Sequence, residues 1–186
     1  MKKLFNSLLF VLAVSNAQAE GILDNTVFGV SLINQDINLA VNVSGNTVNV
    51  SDSGTGFGIY LDKYYKRKYR FNSAFSYVGY DSFDLAEFSV SADYLIPLNQ
   101  KISFFAGLSA GAGMQKYSDV NMSDASFGLI YGAQIGGIAY VNSDLMLEAG
   151  YRQKFSNIET KVTGVSGIDA ELDEISEFYL NFLLMF

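Results

Sequence analysis

The chain ends in the sequence SEFYLNFLLMF, residues 176–186. Every second residue of this stretch is large and apolar, and these residues form the row Phe178, Leu180, Phe182, Leu184 and Phe186. The residues between them are mixed in character, so the stretch has the period of a β-strand with one apolar face. Soluble domains usually end in polar residues that fray. We therefore expect the end of this chain to lie against an apolar environment.

The N-terminal sequence predicts export from the cytoplasm. Lys2 and Lys3 precede a short apolar stretch, residues 4–14, which is followed by Ala17-Gln18-Ala19. A basic start, a brief apolar core and a small-x-small end are features of a secretory signal peptide. The apolar stretch is shorter than the roughly 20 residues that a transmembrane helix needs. We expect a signal peptide at residues 1–19 and a mature domain at residues 20–186, and the absence of a nearby cysteine excludes a lipid-anchored lipoprotein.

The composition narrows the class of protein further. The chain has no cysteine, histidine or tryptophan, but it has 15 phenylalanines, 12 tyrosines and 17 glycines. Its formal charge of −7 would repel the phosphates of nucleic acid, so we expect no nucleic-acid partner. After residue 19 no apolar run is long enough for a transmembrane helix. An exported, aromatic-rich chain without disulfides is typical of outer-membrane β-barrels, in which alternation replaces continuous hydrophobicity.

Alternating segments of the required kind recur along the whole mature chain. We count eight, near residues 26–33, 57–62, 69–77, 87–96, 102–113, 127–141, 145–155 and 177–186. Short links around Arg67, Asn99 and Ser143 follow the even-numbered segments, and longer polar links at about 44–54, 79–84, 117–125 and 157–173 follow the odd-numbered ones. Short periplasmic turns and longer outer loops alternate in this way in outer-membrane barrels. The sequence therefore predicts an all-β, closed, antiparallel transmembrane barrel of about eight strands, in which the last strand pairs with the first.

The first segment contains a change of phase. Ile37, Leu39, Val41 and Val43 alternate with polar residues but are out of step with Leu32. A β-bulge near residues 34–38 would produce this change. A first hairpin that continues beyond the membrane would produce it too, and we favour the hairpin.

The chain resembles the small eight-stranded outer-membrane barrels of the OmpA/OmpX-like and opacity-type group. The resemblance rests on the Ala17-Gln18-Ala19 signal end, the terminal row Phe178 to Phe186 and the eight alternating segments, and it spans the whole mature chain. It implies that the barrel-assembly machinery recognises the terminal row. It also implies contact with outer-membrane lipid and lipopolysaccharide in a Gram-negative cell envelope.

The missing histidine restricts catalysis. A Ser-His-Asp triad, a histidine general base and a histidine metal site are all excluded. Barrel lipases, deacylases, palmitoyl transferases and omptin-type proteases share the predicted architecture, but these families rely on histidine. No motif supports a carboxylate-only or Ser/Lys mechanism, so we expect no enzymatic activity, no cofactor and no catalytic or metal-ligating residue.

Charged side chains fall at positions predicted to face the barrel interior. They are Asp62, Arg70, Glu87, Asp93, Glu148, Arg152, Lys154 and Glu177. One interpretation is an ion path or gate. The other is a sealed polar plug, because about eight strands enclose only enough room for side chains. Glu148 and Arg152 lie too far apart on one strand to pair, and we expect Glu177 to lie beside Arg152 or Lys154.

Three other features allow both a structural and a functional interpretation. The inward glycines of the fifth and sixth segments would open a small cavity or make room for Tyr60, Tyr64, Phe105 and Tyr140. The run KYYKRKYR, residues 63–70, is expected to meet lipid headgroups with Lys66, Arg67 and Lys68, while Tyr65 and Tyr69 join an aromatic belt. The acidic residues of the last loop would form a solvated loop, hold divalent cations against lipopolysaccharide or meet a basic host protein. These residues are Glu159, Asp169, Glu171, Asp173 and Glu174, opposed by Lys161.

These features predict a non-enzymatic surface protein. The barrel would be an anchor, and its outer loops would stabilise the envelope or contact another surface. The alternative is a narrow, porin-like channel for ions or a small solute. The ligand or host partner of such loops has no readable code in the sequence.

Overall fold

The computed structural model describes residues 26–43, 46–66, 68–117, 125–161 and 168–185. These residues form a closed barrel of eight antiparallel strands. The strands are β1 (Thr26–Val43), β2 (Asn46–Tyr65), β3 (Tyr69–Gly79), β4 (Phe83–Pro97), β5 (Ile102–Tyr117), β6 (Ala125–Tyr140), β7 (Leu145–Lys161) and β8 (Ile168–Met185). In this part of the chain no helix is long and apolar enough to cross a membrane. The predicted fold class is confirmed.

The first and last strands close the barrel. β1 pairs with β8 from Val27 opposite Met185 to Val43 opposite Ile168. Every other strand pairs with its neighbour in sequence, as the alternating segments predict. The signal peptide and Phe186 lie outside the described residues. Closure leaves no strand edge where neighbouring strands pair, whereas residues 46–54 of β2 project beyond the end of β3 and pair only with β1.

The links between strands differ from the sequence prediction at one end of the barrel. Both chain ends and the short links at 66–68, 98–101 and 141–144 lie at the same end, which we call the periplasmic end. At the other, outer end, the predicted loop at 79–84 is reduced to residues 80–82, and most of 44–54 belongs to β2. Much of 157–173 likewise extends β7 and β8. The prediction of long loops at these positions is wrong, because polar side chains on a strand that projects into water resemble a loop in sequence.

The change of phase in β1 comes from a projecting hairpin. β1 and β2 stay in one register from Thr26 opposite Lys63 to Val43 opposite Asn46. Ile37 and Leu39 are buried on the same side of the strand as Val27. The backbone therefore keeps its phase, and the apolar residues move from the outer to the inner face. A register shift does occur, but it lies in the pairing with β8, between Asn38 and Leu39.

The barrel interior contains two apolar clusters beside its polar residues. The first cluster includes Val27, Leu95, Phe105, Met146 and Leu183, which lie near the periplasmic end. The second, which we call the outer cluster, consists of Ile37, Leu39, Phe83, Leu85, Ile130, Ile158, Leu172 and Ile175. The two clusters meet where Val78 of the first lies opposite Leu85 of the second. Packed apolar side chains therefore lie toward both ends of the interior, with the charged side chains among and between them.

Candidate functional site: the polar interior of the barrel

The eight charged side chains singled out in the sequence are all buried inside the barrel. None exposes more than 4% of its surface, and Glu177 exposes none. Each stands at an inward position of its strand because side chains alternate between the two faces of a sheet. The structure separates the eight into two ion-pair groups, which we name after the residue at the centre of each.

The Arg70 group lies toward the periplasmic end. Arg70 donates from Nε to Asp93 Oδ2 at 2.8 Å, and its Nη1 pairs with Glu148 Oε2. Asp62 Oδ2 lies 3.5 Å from the same Nη1. The guanidinium also stacks on the ring of Phe105, at 4.4 Å from the ring centre. One cation therefore faces three carboxylates in this group.

The Glu177 group lies nearer the outer end. Glu177 Oε1 pairs with Arg152 Nη1 at 2.7 Å, and its Oε2 pairs with Lys154 Nζ at 2.8 Å. Lys154 also pairs with Glu87 at 2.6 Å. Gln35 donates to Glu177 Oε2 at 2.5 Å. This group has two cations and two carboxylates, so its formal charges balance.

Uncharged side chains join the two groups into one network. Gln134 accepts a hydrogen bond from Arg152 Nε at 2.6 Å and donates from Nε2 to Asp93 Oδ1 at 2.5 Å. Asn181 donates to Glu148 Oε1 at 3.2 Å. Sequence reasoning missed Gln35, Gln134 and Asn181. The alternation places all three amides at inward positions, which is the feature of the sequence that could have indicated them. The sequence alone does not show which charged side chains each amide would contact.

Aromatic rings fill the space beside the inward glycines. A Cβ on Gly136 would collide with the ring of Phe105, and one on Gly150 would collide with the ring of Tyr179. The guanidinium of Arg152 stacks on Tyr179, at 4.4 Å from the ring centre. Sequence analysis predicted that the inward glycines either open a small cavity or make room for aromatic rings. The contact between Gly136 and the Phe105 ring agrees with the second interpretation. Tyr179 is a further ring that the sequence analysis did not single out.

A few buried polar atoms have no hydrogen-bond partner among the described residues. They are Asp62 Oδ2, Tyr64 Oη, Tyr179 Oη and Asn181 Oδ1. Asp62 and Asn181 belong to the surroundings of Arg70, where carboxylates outnumber cations. Within the described ranges, no three histidine, cysteine or acidic side chains are arranged so that they could hold a metal ion.

Tyr80, in the link between β3 and β4, joins the interior network through Gln35. Tyr80 stacks on Phe83 with ring centres 4.6 Å apart and donates to Gln35 Oε1 at 2.6 Å. Burial raises the pKa of Tyr80 above its ordinary value. The hydroxyl therefore stays protonated and keeps Gln35 oriented toward Glu177.

The outer surface of the barrel carries the apolar row of the C-terminal strand. Phe178, Leu180, Phe182 and Leu184 are all exposed on the outside of β8, and β1 continues this apolar surface with Phe28 and Val30. The row faces outward as the alternation predicts. Phe186, its last member, lies outside the described residues.

Charged surfaces differ between the two ends. Lys66 and Lys68 are exposed at the periplasmic turn after β2, and Lys66 Nζ lies 5.2 Å from the ring centre of Tyr65. Toward the outer end, Glu159 and Glu171 are exposed and directly opposite each other on β7 and β8. Arg67 and the side chains of Asp169 and Lys161 lie outside the described part of the chain.

Comparison with known proteins identifies the fold. No family model matches the chain, and no curated protein matches it in sequence. Among solved structures, Neisserial surface protein A matches with a TM-score of 0.61 and 17% sequence identity, over 86% of this chain and 97% of that one. Outer membrane protein OprG from Pseudomonas aeruginosa matches with a TM-score of 0.58 and 12% identity, over 88% and 96%. Outer membrane protein H from the same organism has a TM-score of 0.58 and 18% identity, over 87% and 99%.

The chain has the fold of a small outer-membrane β-barrel. The outside of the barrel carries an apolar band with aromatic ring pairs toward both ends, the pattern that is typical of this fold. Tyr69 and Tyr94 form a ring pair near the periplasmic end, with centres 5.7 Å apart. Phe57 and Tyr77 form another toward the outer end, at 6.0 Å.

Proposed function

We propose that this chain is a non-enzymatic surface protein of the bacterial outer membrane, exported with a cleaved signal peptide at residues 1–19. In this proposal the barrel is a closed anchor, and the strands that project from its outer end stabilise the envelope or contact other surfaces. The observation that carries the proposal is the pair of ion-pair groups in the interior, joined by Gln134, in which each buried cation is engaged by at least one carboxylate.

The packing of the interior supports an anchor over a channel. A passing ion would have to separate Arg152 and Lys154 from Glu177, although breaking a buried pair costs about 3–5 kcal/mol. It would also have to pass the apolar clusters toward both ends, represented by Phe105 and Leu172, which are 2% and 0% exposed. Among the described residues, these buried apolar side chains interrupt the polar interior, which favours an anchor over a channel.

The projecting hairpin supports a role at the surface. The ends of β1 and β2 extend beyond the link that joins β3 to β4. Val48 and Val50 near the hairpin tip lie opposite Val41 and Leu39, on the side of the hairpin that faces the barrel axis, and are 54% and 44% exposed. Apolar side chains exposed on a paired strand favour contact with another surface. Lipopolysaccharide surrounds this stretch in an outer membrane, so it is a proposed partner, together with a host or surface ligand.

Conductance in planar bilayers tests the closed barrel. We expect the refolded protein to give no reproducible unit currents. Unit currents in the unaltered protein that change in size with Arg152→Ala or Glu148→Gln would contradict the anchor and favour the narrow channel for ions or a small solute. A screen for hydrolysis of lipids and peptides tests the proposal that the protein is not an enzyme. Hydrolytic activity that co-purifies with the barrel would contradict this proposal.

Cysteine labelling tests the surface role, because the chain contains no cysteine of its own. A single Val48→Cys variant should react with a membrane-impermeant maleimide on intact cells. The matched variant Asn142→Cys, in the exposed link between β6 and β7, should react only after the outer membrane is opened. The opposite pattern would contradict the proposed orientation.

We also propose that the row Phe178, Leu180, Phe182, Leu184 and Phe186 is the signal for the barrel-assembly machinery. Deleting Phe186 should lower the amount of barrel in the outer membrane of cells but leave refolding in detergent unchanged. A variant that fails equally in both would assign the residue to stability instead.

A further inference from the structure

The buried charges of the barrel interior do not balance, and the imbalance lies in one place. The Glu177 group sets two cations against two carboxylates, whereas in the Arg70 group one guanidinium faces Asp62, Asp93 and Glu148. Among the described residues, the Arg70 group therefore has a surplus of two negative charges. A buried charge without a counter-charge is costly because it has lost its hydration.

Asp62 is the carboxylate of this group that the protein engages least. Its Oδ2 lies 3.5 Å from Arg70 Nη1 and accepts no hydrogen bond from the described residues. Asp93 Oδ2, by contrast, lies 2.8 Å from both Nε and Nη2 of Arg70. Glu148 has a partner for each of its two carboxylate oxygens. The surplus negative charge is therefore concentrated at Asp62 Oδ2.

Three further buried oxygens around the Arg70 group have no hydrogen-bond partner among the described residues. They are Tyr64 Oη, Tyr179 Oη and Asn181 Oδ1. Tyr64 stands opposite Arg70 in the pairing of β2 with β3. Asn181 is held beside Glu148 by its Nδ2, and the Tyr179 hydroxyl lies against Gly150, the next inward residue of β7 after Glu148. Buried oxygens therefore surround the carboxylates that carry the surplus charge.

Oxygen atoms beside an uncompensated negative charge indicate a positively charged ligand. Asp62 and Asn181 are each 1% exposed, so bulk water does not reach their oxygens. A buried water molecule would satisfy hydrogen bonds, but it would leave the surplus charge in place. Carboxylate and amide oxygens are also the ligands that hard cations take in proteins. A cation therefore satisfies the oxygens and reduces the surplus charge together.

The surroundings of Asp62 limit the charge of this cation. The charged groups that act on Asp62 come from three other strands, and they are Arg70 of β3, Asp93 of β4 and Glu148 of β7. The remaining strands surround the group with uncharged side chains, which include Val27 of β1, Phe105 of β5, Tyr140 of β6 and Tyr179 of β8. A multivalent ion would need several carboxylates as ligands, and no three acidic side chains of the described ranges are arranged to hold a metal. A single positive charge fits this position.

We propose that Asp62 Oδ2 binds one monovalent counter-cation, a proton or a sodium ion, within the Arg70 group of the folded barrel. Neutralising Asp62 reduces the surplus charge and leaves the closer partners of Arg70 in place. The site lies toward the periplasmic end, where Tyr64 and Tyr140 are only partly buried, so the cation enters from the periplasm. The proposal goes beyond the closed anchor and does not depend on it, because a cation held at one site carries no current.

Urea-induced unfolding of the full barrel in lipid vesicles tests the site and separates the two cations. A ligand that binds only the folded state stabilises it, and the stabilisation grows with the concentration of the ligand. For a proton, the urea midpoint should rise as the pH falls from about 8 to about 6, and the unfolding constant should change by up to about tenfold per pH unit. For sodium, the midpoint should fall at constant pH when choline replaces sodium at equal ionic strength.

Two variants locate the response. Asp62→Asn removes the charge and keeps the shape of the side chain, so its midpoint should depend on neither pH nor sodium in this range. The matched control Asp36→Asn, which changes an exposed acid of β1, should respond as the unaltered barrel does. If the cation is a proton, the infrared spectrum should contain the carbonyl stretch of a protonated carboxyl group, and Asp62→Asn should lose it. Circular dichroism and gel mobility establish that each variant folds.

Two results would overturn the proposal. An unaltered barrel whose midpoint depends on neither pH nor sodium would assign the unpartnered oxygens to water, and this result does not require any variant to fold. A folded Asp62→Asn barrel that keeps the full response would place the cation elsewhere. Conductance remains a separate measurement, since unit currents would contradict the closed anchor without changing the response at Asp62.

Discussion

The stretch of the barrel within the apolar band and the stretch beyond it have opposite patterns on the same strands. In β1, Phe28 and Val30 face outward in the band, whereas Ile37 and Leu39 face inward beyond it. The strand itself continues without a break in its pairing to β2. The surroundings of each stretch decide which of its faces is apolar. Within the band, surrounding hydrocarbon requires apolar residues on the outer face. Beyond the band, surrounding water favours polar residues outside and apolar residues inside.

The two stretches are therefore held together by different interactions. In the band, ion pairs such as Lys154 with Glu87 link strands across the interior, whereas beyond the band Phe83, Ile158 and Leu172 pack as an ordinary apolar core. Removing one charge from the first stretch leaves others without partners. Removing an apolar side chain from the second leaves a cavity.

The largest expected effect is the loss of stability when one buried charge is removed from the band. Glu177→Gln should lower the free energy of unfolding by about 4 kcal/mol, because it leaves Arg152 and Lys154 buried with only Glu87 as a charged partner. Urea-induced unfolding in lipid vesicles, followed by circular dichroism, measures this loss. Glu171→Gln, an acid exposed beyond the band, is the matched control and should change stability by less than about 0.5 kcal/mol. Equal effects would mean that the interior pairs contribute no more than surface charges.

The second prediction concerns the outer cluster. Leu172→Ala should cost about 3 kcal/mol, because Leu172 is fully buried there. Hydrogen exchange should increase at the outer ends of β1, β7 and β8 and stay unchanged in the band. Leu180→Ala, on the lipid face of the same strand, should have a much smaller effect because lipid can fill the space. Exchange that increases throughout the barrel would mean that the two stretches unfold as one unit.

A smaller effect is expected within the Arg70 group. Asp62→Asn should change stability by about 1 kcal/mol or less, because Arg70 keeps Asp93 and Glu148 and the excess of carboxylates falls. The same unfolding measurement compares it with Glu177→Gln. A loss as large as that of Glu177→Gln would show that the charge imbalance around Arg70 is needed for stability.

The smallest expected effect lies on the surface of the projecting strands. Glu171→Lys should stabilise the barrel by roughly 0.5 kcal/mol, because Glu159 and Glu171 now face each other as like charges. The gain should fade in 1 M salt, which screens exposed charges. A gain that is independent of salt would have to come from packing rather than charge.

The period of two in the sequence was sufficient to predict the barrel and the inward position of its charges. Alternation assigns each residue of a strand to one face, so Glu148 and Arg152 could be placed inside before any pairing was known. The pairing with Glu177 also followed, because β7 and β8 are neighbours in sequence. The partner of Glu148 did not follow, since Arg70 lies 78 residues away and meets it across the interior.

The boundary between strand and loop at the outer end could not be predicted either. Apart from Val48 and Val50, residues 46–54 are polar or glycine, a composition that turns and loops share. Their strand structure depends on pairing with β1, where Ile37 and Leu39 supply the buried side.

The pairing of β1 with β8 has a consequence for the order of folding. Contacts between the two ends of a chain carry the largest entropic cost and are the slowest to form. The edge of β1 that pairs with β8 therefore stays without its partner until the last strand of the barrel has been made. A partner that recognises the C-terminal residues would therefore act at the moment when the sheet becomes able to complete its circle.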